Sequence, residues 1–246
     1  MAQFQLESTT PWLLARFSQR SNGNMAPHLG SSEETHRARR LFLQDNGIPD
    51  EKTFHLTLTH STKVLMAKKT FAHRGIAHKR KALIADAVIV TQPDLYAMFF
   101  VGDCLSIIVV DPDQRHIGIA HAGWKGTEMH IVEKLITRMK KNGSNVGRLQ
   151  VELGPAIGPC CFHFHNPIQE HLSGWEPYLK KRSNGFMAID FIQYNKDQLL
   201  HSGIPIKNIR DPHPCTSCRS DQFFSHYRDT REERSEGRFM IVVGIK

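Results

Sequence analysis

"HIGIAHAGWKG", residues 116–126, sets the fold reading, because three kinds of backbone follow one another within it. "HIGIA" at 116–120 is short, apolar and bounded by charge, the pattern of a buried strand, so His121 stands at that strand's C-terminal end. Two glycines flank Trp124-Lys125 and provide a turn. "TEMHIVEKLITRMKKNG" follows, with Ile131, Val132, Leu135, Ile136 and Met139 on one face at helical spacing, Lys140-Lys141 in the last turn and Asn142-Gly143 as the stop. The spacing therefore predicts a strand, a glycine turn and one helix over 127–141. Free N–H groups at the helix start, with Lys125, are suited to holding an anion. An ordinary glycine turn with a buried histidine and a core tryptophan fits the same six residues, HAGWKG.

Outward from this unit, strand-like runs occur at 55–60, 86–90, 95–101, 105–110, 149–153 and 239–245, and helical patterns at 33–43, 167–180 and 191–202. No linker rich in Pro, Gly and Ser divides them. The 246 residues are thus read as one mixed α/β domain, 1–246, with strands dominating the middle and helices outside. The composition, 40% hydrophobic and 23% charged, is that of a globular chain. No apolar run approaches the roughly 18 residues of a membrane helix, and the N-terminus lacks a basic region ahead of an apolar one, which predicts a soluble cytoplasmic protein without a membrane partner.

Thirty-two basic against 24 acidic residues give a net charge of +8, enough to attract phosphorylated or nucleic-acid partners non-specifically. Much of it is concentrated in "KKTFAHRGIAHKRK" at 68–81. With Phe71 as its one aromatic, that stretch reads as a solvated loop rather than a nucleic-acid surface, and no specific nucleic acid is expected. Five cysteines, odd in number and unevenly placed, argue for reduced thiols or metal ligands over a disulfide framework.

Alternation in "HLTLTH" places Leu56, Leu58 and His60 on one strand face, so His60 ends an inward face. Asp103-Cys104 opens an apolar strand and His121 closes the next. Were those ends to converge, two imidazoles and a thiolate would suit Zn²⁺, with a fourth position open for water or substrate. Core histidines and a buried cysteine account for the same residues, and spacing alone does not join them. Cys215-x-x-Cys218 is a proper half-site for a metal, but adjacent Cys160-Cys161 is not a matching knuckle, so packing or turn chemistry is the reading there.

"FSQRSNGNMAPHLG", "ADAVIV", "GDC", "HAGWKG", "GPAIGPCCF", "CTSC" before "FFSHYRD", and "GRFMIVVGI" occur in an order and spacing similar to the bacterial laccase-domain proteins. These are also called polyphenol oxidoreductase-like, and the family is associated with purine nucleoside phosphorylase activity. The resemblance runs from about Phe17 to Ile245. It implies an α+β domain in which two packed β-sheets are flanked by helices, in α/β/β/α layers. It further implies zinc held by His60, Cys104 and His121, and purine nucleosides (adenosine, inosine, guanosine or 5′-methylthioadenosine) with phosphate as substrates, some members also deaminating adenosine. Arg39 matches the arginine of the family's Asn-Arg segment, while Ala38 replaces its asparagine. Leu58-Thr59, His163 and Ser217 are further departures; none removes a zinc ligand, and all bear on the shape and polarity of a pocket.

Phosphorolysis develops positive charge on the ribose and negative charge on the departing base, and it needs phosphate on the far side of the anomeric carbon. Lys125, Arg39 and Arg228 are the expected anion-binding cations, and Asp103 the expected residue for proton traffic or ligand orientation. Surface salt bridging is the ordinary use of the three cations. Three rivals stand beside this expectation. A copper-dependent phenol oxidase would need several His-x-His pairs, and His163-Phe164-His165 is the single one present, so copper is not expected. A thiol hydrolase would use Cys104 with His121, in keeping with a fold that resembles deamidating bacterial toxins. A non-enzymatic nucleotide-binding module would bind without turnover.

Overall fold

The computed structural model describes residues 3–26, 28–74, 83–212 and 214–246. Lys79, Arg80 and Lys81 of the basic stretch lie outside the described residues.

Two sheets carry the core. The first has the order β1 (Leu13–Phe17), β13 (Phe239–Ile245), β5 (Leu95–Val101) and β2 (Thr53–His55). The second runs β12 (Ile209–Arg210), β8 (Gln150–Leu153), β6 (Leu105–Asp111), β7 (His116–Ala122), β4 (Ala87–Val90) and β3 (Val64–Met66). A small third sheet, β10 (Leu179–Lys181), β11 (Met187–Ile189) and β9 (His163–Phe164), sits apart from both.

Residue alternation explains how the two large sheets stack. Along β5, Leu95, Ala97, Phe99 and Val101 point into the same apolar cluster as Phe239, Ile241, Val243 and Ile245 of β13 and Ile108 and Val110 of β6, which is the layer between the sheets. The intervening Tyr96, Met98, Met240 and Val242 turn outward, beneath Phe42 and Leu43 of α2 (Ser32–Asp45). Leu105, Ile107 and Val109 of β6 face the other way, against α4 (Ile131–Lys141) and α5 (Phe191–His201). The layers are α/β/β/α, as the resemblance implies. A short α1 (Gln5–Thr9) closes one edge, where the N–H groups of Gln5 and Leu6 donate to the buried Glu152 carboxylate at 2.8 and 2.7 Å.

Three sequence expectations need correction. The predicted helix over 127–141 is two helices, α3 (Trp124–Glu128) and α4, broken at His130, which has φ 59°. The Thr127 carbonyl that would continue one helix instead accepts from the His130 N–H at 3.0 Å and from Gln198 Nε2 of α5 at 2.9 Å. Gly126 therefore lies inside α3 and does not open the long helix. The five apolar residues named for the helix face are all buried on α4. The predicted helix over 167–180 is a pair of short 3-10 turns, Ile168–His171 and Glu176–Tyr178, running into β10; Pro167, Pro177 and Gly174 (φ 85°) interrupt any longer one. Of the predicted strand 55–60 only His55 is paired in β2, and the chain leaves the sheet before His60.

Candidate metal centre

The centre forms at one end of β7. In the β6–β7 ladder the last pair is Leu105 with Ala122, and Ser106 faces His121. One step farther, Cys104 approaches Gly123 so closely that a Cβ on that glycine would stand 2.7 Å from Cys104 Sγ and 3.0 Å from His60 Cδ2. On the other side of β7, Asp86 precedes β4, and its carbonyl accepts from the His121 N–H at 2.7 Å. His121 is thus flanked by Cys104 from one neighbouring strand and Asp86 from the other.

Asp86 organises the third member. Its buried carboxylate accepts from the backbone N–H groups of Thr59 (3.1 Å), His60 (2.9 Å) and Ser61 (2.7 Å), from the Ser61 hydroxyl at 2.7 Å, and pairs with His121 Nδ1 at 3.0 Å. Wrapping 59–61 around one carboxylate takes His60 out of the strand conformation, to φ 58°. His60 faces the site because of this turn, and not through the strand alternation expected from HLTLTH. Burial would raise the Asp86 pKa, but His121 and Ser61 outweigh it and hold the carboxyl below the usual range.

Among the described residues, His60, Cys104 and His121 offer ligand atoms that all lie within 4.8 Å of one another. Cys104 Sγ is 3.7 Å from His60 Nε2, and the two imidazoles are edge to face with centroids 4.9 Å apart. Burial pushes the Cys104 thiol up, yet His121 and His60 outweigh it and bring it down to about 6; His121 is raised in turn by Cys104 and Asp86 against the effect of its own burial. The donor set fits a divalent metal on three grounds: a nitrogen–sulfur–nitrogen triad, a carboxylate fixing the ring of one histidine from behind, and a glycine where any side chain would intrude. Two imidazoles and a thiolate also form the equatorial set of trigonal copper sites, so the residues alone leave the metal open between zinc and copper.

Two clefts meet at His60 and Cys104, and His121 lines one of them. One, of about 620 Å³, has aromatic and apolar walls from Trp124, Ile157, Phe162, Phe164, Phe191 and Tyr227, with Arg231 at its edge. The other, of about 430 Å³, is lined by His28, His55, Phe100 and Arg238. His60, Cys104, Asp103 and His226 belong to both. Such volumes suit small-molecule sites.

The remaining expected residues occupy varied places. Asp103 touches both clefts, but its carboxylate is engaged: Thr216 Oγ1 donates at 2.6 Å and the Tyr227 N–H at 2.7 Å, and burial raises its pKa. Arg39 is fully buried on α2, donating from Nε to the Met25 carbonyl at 2.8 Å, with its guanidinium 4.1 Å from the ring centre of Phe100. Burial lowers its pKa to about 10. Its charge reaches the second cleft, where burial first and then Arg238 and Arg39 depress the His28 pKa. Lys125 is exposed on α3, 5.6 Å from the Trp124 ring centre, and lines neither cleft. Arg228, near the start of α6 (His226–Arg231), spends its guanidinium on the carbonyls of Thr216 (2.9 Å), Ser217 (3.0 Å) and Phe223 (3.0 Å) and on Asp229 (2.9 Å). One turn later, Arg231 lies 3.7 Å from the Tyr227 ring centre and does line the aromatic cleft. Asp86, Arg231, Arg238 and His226 escaped the sequence reading. "ADAVIV" and "SHYRD" marked two of these places, and the helical step from Arg228 to Arg231 was the available signal.

The layered α+β fold with a His–Cys–His centre defines a class, and the sequence agrees with it. Residues 15–246 match the family described as multi-copper polyphenol oxidoreductase laccase, and the chain belongs to that family. Its relatives include the purine nucleoside phosphorylase YlmD of Geobacillus stearothermophilus, 28% identical over 232 residues that span 90% of this chain and 82% of that one. The adenosine deaminase RL5, from an unknown prokaryotic organism, is 28% identical over 176 residues, covering 69% and 67% of the two chains. The crystal structure of the Geobacillus YlmD superposes with a TM-score of 0.88 at 25% identity, covering 96% of this chain and 92% of that one. No helix among the described residues is long and apolar enough to cross a membrane.

Proposed function

We propose that the chain cleaves purine nucleosides with inorganic phosphate at a zinc centre formed by His60, Cys104 and His121, with deamination of adenosine as a side activity. The observation that carries this reading is the position of His60 and Cys104 where an aromatic cleft meets a second one that carries His121 and Arg238, joined to the names of the relatives. Bound zinc supplies Lewis acidity toward the purine or an attached water.

The chain's own residues supply the rest. Trp124, Phe162, Phe164 and Tyr227 enclose a flat heterocycle, with Arg231 over the tyrosine contributing a cationic edge. Arg238 and His28, with the charge of Arg39 behind Phe100, hold phosphate in the other cleft, opposite the base. A phosphate oxygen then forms its bond to the anomeric carbon as the bond from that carbon to the purine nitrogen breaks. His226 borders both clefts and is paired through Nδ1 with Glu236 at 3.2 Å, a position from which it passes a proton to the departing purine. Asp103 acts as a positioning residue, fixing Thr216 and the start of α6 beside Cys104. Lys125 and Arg228 serve outside the clefts, Arg228 by bracing the loop beneath α6. The unit is one domain over 1–246.

The test incubates the purified chain, its metal content measured, with adenosine and phosphate. Adenine and ribose 1-phosphate in equal amounts are expected. Their absence at every metal loading removes the phosphorylase reading, and a His121→Ala protein that keeps metal and activity removes the site assignment. A blue absorption band after copper loading, with phenol oxidation, would favour the copper alternative.

A second reading rests on one observation: the lowered Cys104 thiol, His121 and Asp86 form a chain of the kind used for nucleophilic attack by sulfur. A thiol hydrolase predicts that iodoacetamide modifies Cys104 and stops activity without chelation. Zinc coordination predicts protection until a chelator is added.

A further inference from the structure

Four of the five cysteines lie away from the His–Cys–His centre, in two segments remote in sequence. Among the described residues, Cys160, Cys161, Cys215 and Cys218 place their sulfurs all within 4.8 Å of one another. Cys218 Sγ is 3.6 Å from Cys160 Sγ and 3.4 Å from Cys161 Sγ. Metal–sulfur bonds of about 2.3 Å at tetrahedral angles put sulfurs roughly 3.8 Å apart, close to these spacings.

The backbone shows how the adjacent pair reaches one point. Gly158 opens a turn in which the N–H groups of Cys161 and Phe162 both donate to its carbonyl, at 3.0 and 2.9 Å. This folds Cys160 and Cys161 back over the second segment. A Cβ at Gly158 would stand 3.3 Å from Cys160 Sγ, a tight contact, so the glycine eases the close approach. The Gly158 N–H itself donates to Cys215 Sγ at 3.2 Å, the kind of bond that stabilises sulfur carrying negative charge. The segments are also paired directly: Ala156 and Cys215 form a bridge, and the Thr216 N–H donates to the Ala156 carbonyl at 3.0 Å. Cationic side chains surround the group at its carbonyls. Arg182 donates to the Cys160 carbonyl at 2.8 Å, and Arg228 to those of Thr216 and Ser217. Both offset the excess negative charge that four thiolates place around one divalent ion.

We propose that Cys160, Cys161, Cys215 and Cys218 bind a second metal ion, a tetrahedral all-sulfur zinc site that is structural. With four protein ligands it has no open position for substrate, unlike the trio. Its role is to staple 158–161 to 215–218. Thr216, within the staple, holds Asp103 next to Cys104, and the Phe162 and Phe164 walls of the aromatic cleft follow directly from Cys161. The proposal does not depend on the reaction assigned to the first site.

The full-length chain is purified under reducing conditions with zinc, and its metal is counted in the wild type, in His121→Ala and in Cys215→Ser/Cys218→Ser. About two equivalents are expected in the wild type and about one in each variant, one for each group of ligands. Cobalt-loaded His121→Ala should show the intense visible bands of a tetrahedral four-sulfur site, and zinc should shield four of its five cysteines from maleimide until a chelator is added. The shielding experiment leaves these four cysteines intact, so it stands if the double serine variant fails to fold. His121→Ala that binds neither zinc nor cobalt overturns the proposal. So does peptide mapping that finds Cys218 in a disulfide with Cys160 or Cys161 in freshly isolated protein.

Discussion

Gly123 and Asp86 decide whether three ligands can meet. With φ −72°, Gly123 tolerates an alanine backbone, yet the added methyl would stand 2.7 Å from Cys104 Sγ. Gly123→Ala is therefore expected to keep its secondary structure by circular dichroism while losing most of the metal at the trio, measured as about one equivalent fewer than the wild type binds. Asp86→Asn removes a charge that holds 59–61 and His121 together. Metal affinity at the trio should fall about 10–100-fold in a competition titration, and stability should drop by about 3–5 kcal/mol in urea. The three candidate ligands were legible as residue types in the sequence. Asp86 was not, because its role appears only when one carboxylate gathers N–H groups from a segment 25 or more residues away. Arg228 misled for the converse reason, since an arginine in a motif looks the same whether it faces a ligand or braces carbonyls.

At the level of elements, the helix α4 lies on β7 through a gap that Gly118 leaves. A Cβ there would be 2.9 Å from Met139 Sδ and 3.0 Å from Leu135 Cδ1. Gly118→Val should cost about 1–3 kcal/mol by overpacking, read as a lower urea midpoint with unchanged slope. The apolar face of α4 could be read at 3.6-residue spacing because it packs by that period alone. The break at His130 could not, since it comes from Gln198 of α5 competing for a carbonyl. The same limit applied to 167–180, where apolar and polar residues mimic a helix while two prolines and Gly174 forbid one. Strands with long apolar runs, such as β5, β6, β7 and β13, were recognisable; two- and three-residue strands such as β9 and β12 carry too few side chains to show a period.

For the molecule as a whole, the layer between the two large sheets is one of two large apolar clusters, and most of its residues, Ile241 among them, line neither cleft. Ile241 is fully buried in that layer. Ile241→Ala should cost about 2–5 kcal/mol in chemical denaturation, while the folded variant keeps its metal content and KM. The layered architecture followed from family resemblance and alternation together. The third small sheet did not, since it is made of strands of two or three residues between 163 and 189, too short to show a period, set beside Phe162, whose ring packs on Phe191 of α5.

The two clefts are distinct and have His60, Cys104, Asp103 and His226 in common. For the proposed phosphorolysis this geometry dictates a random order of addition: phosphate and nucleoside each bind the free protein, and initial-rate plots at several fixed phosphate levels give intersecting lines. Calorimetry in which phosphate binds only after a nucleoside analogue would mean an ordered entry, and parallel lines would mean a covalent ribosyl intermediate in place of direct displacement by phosphate.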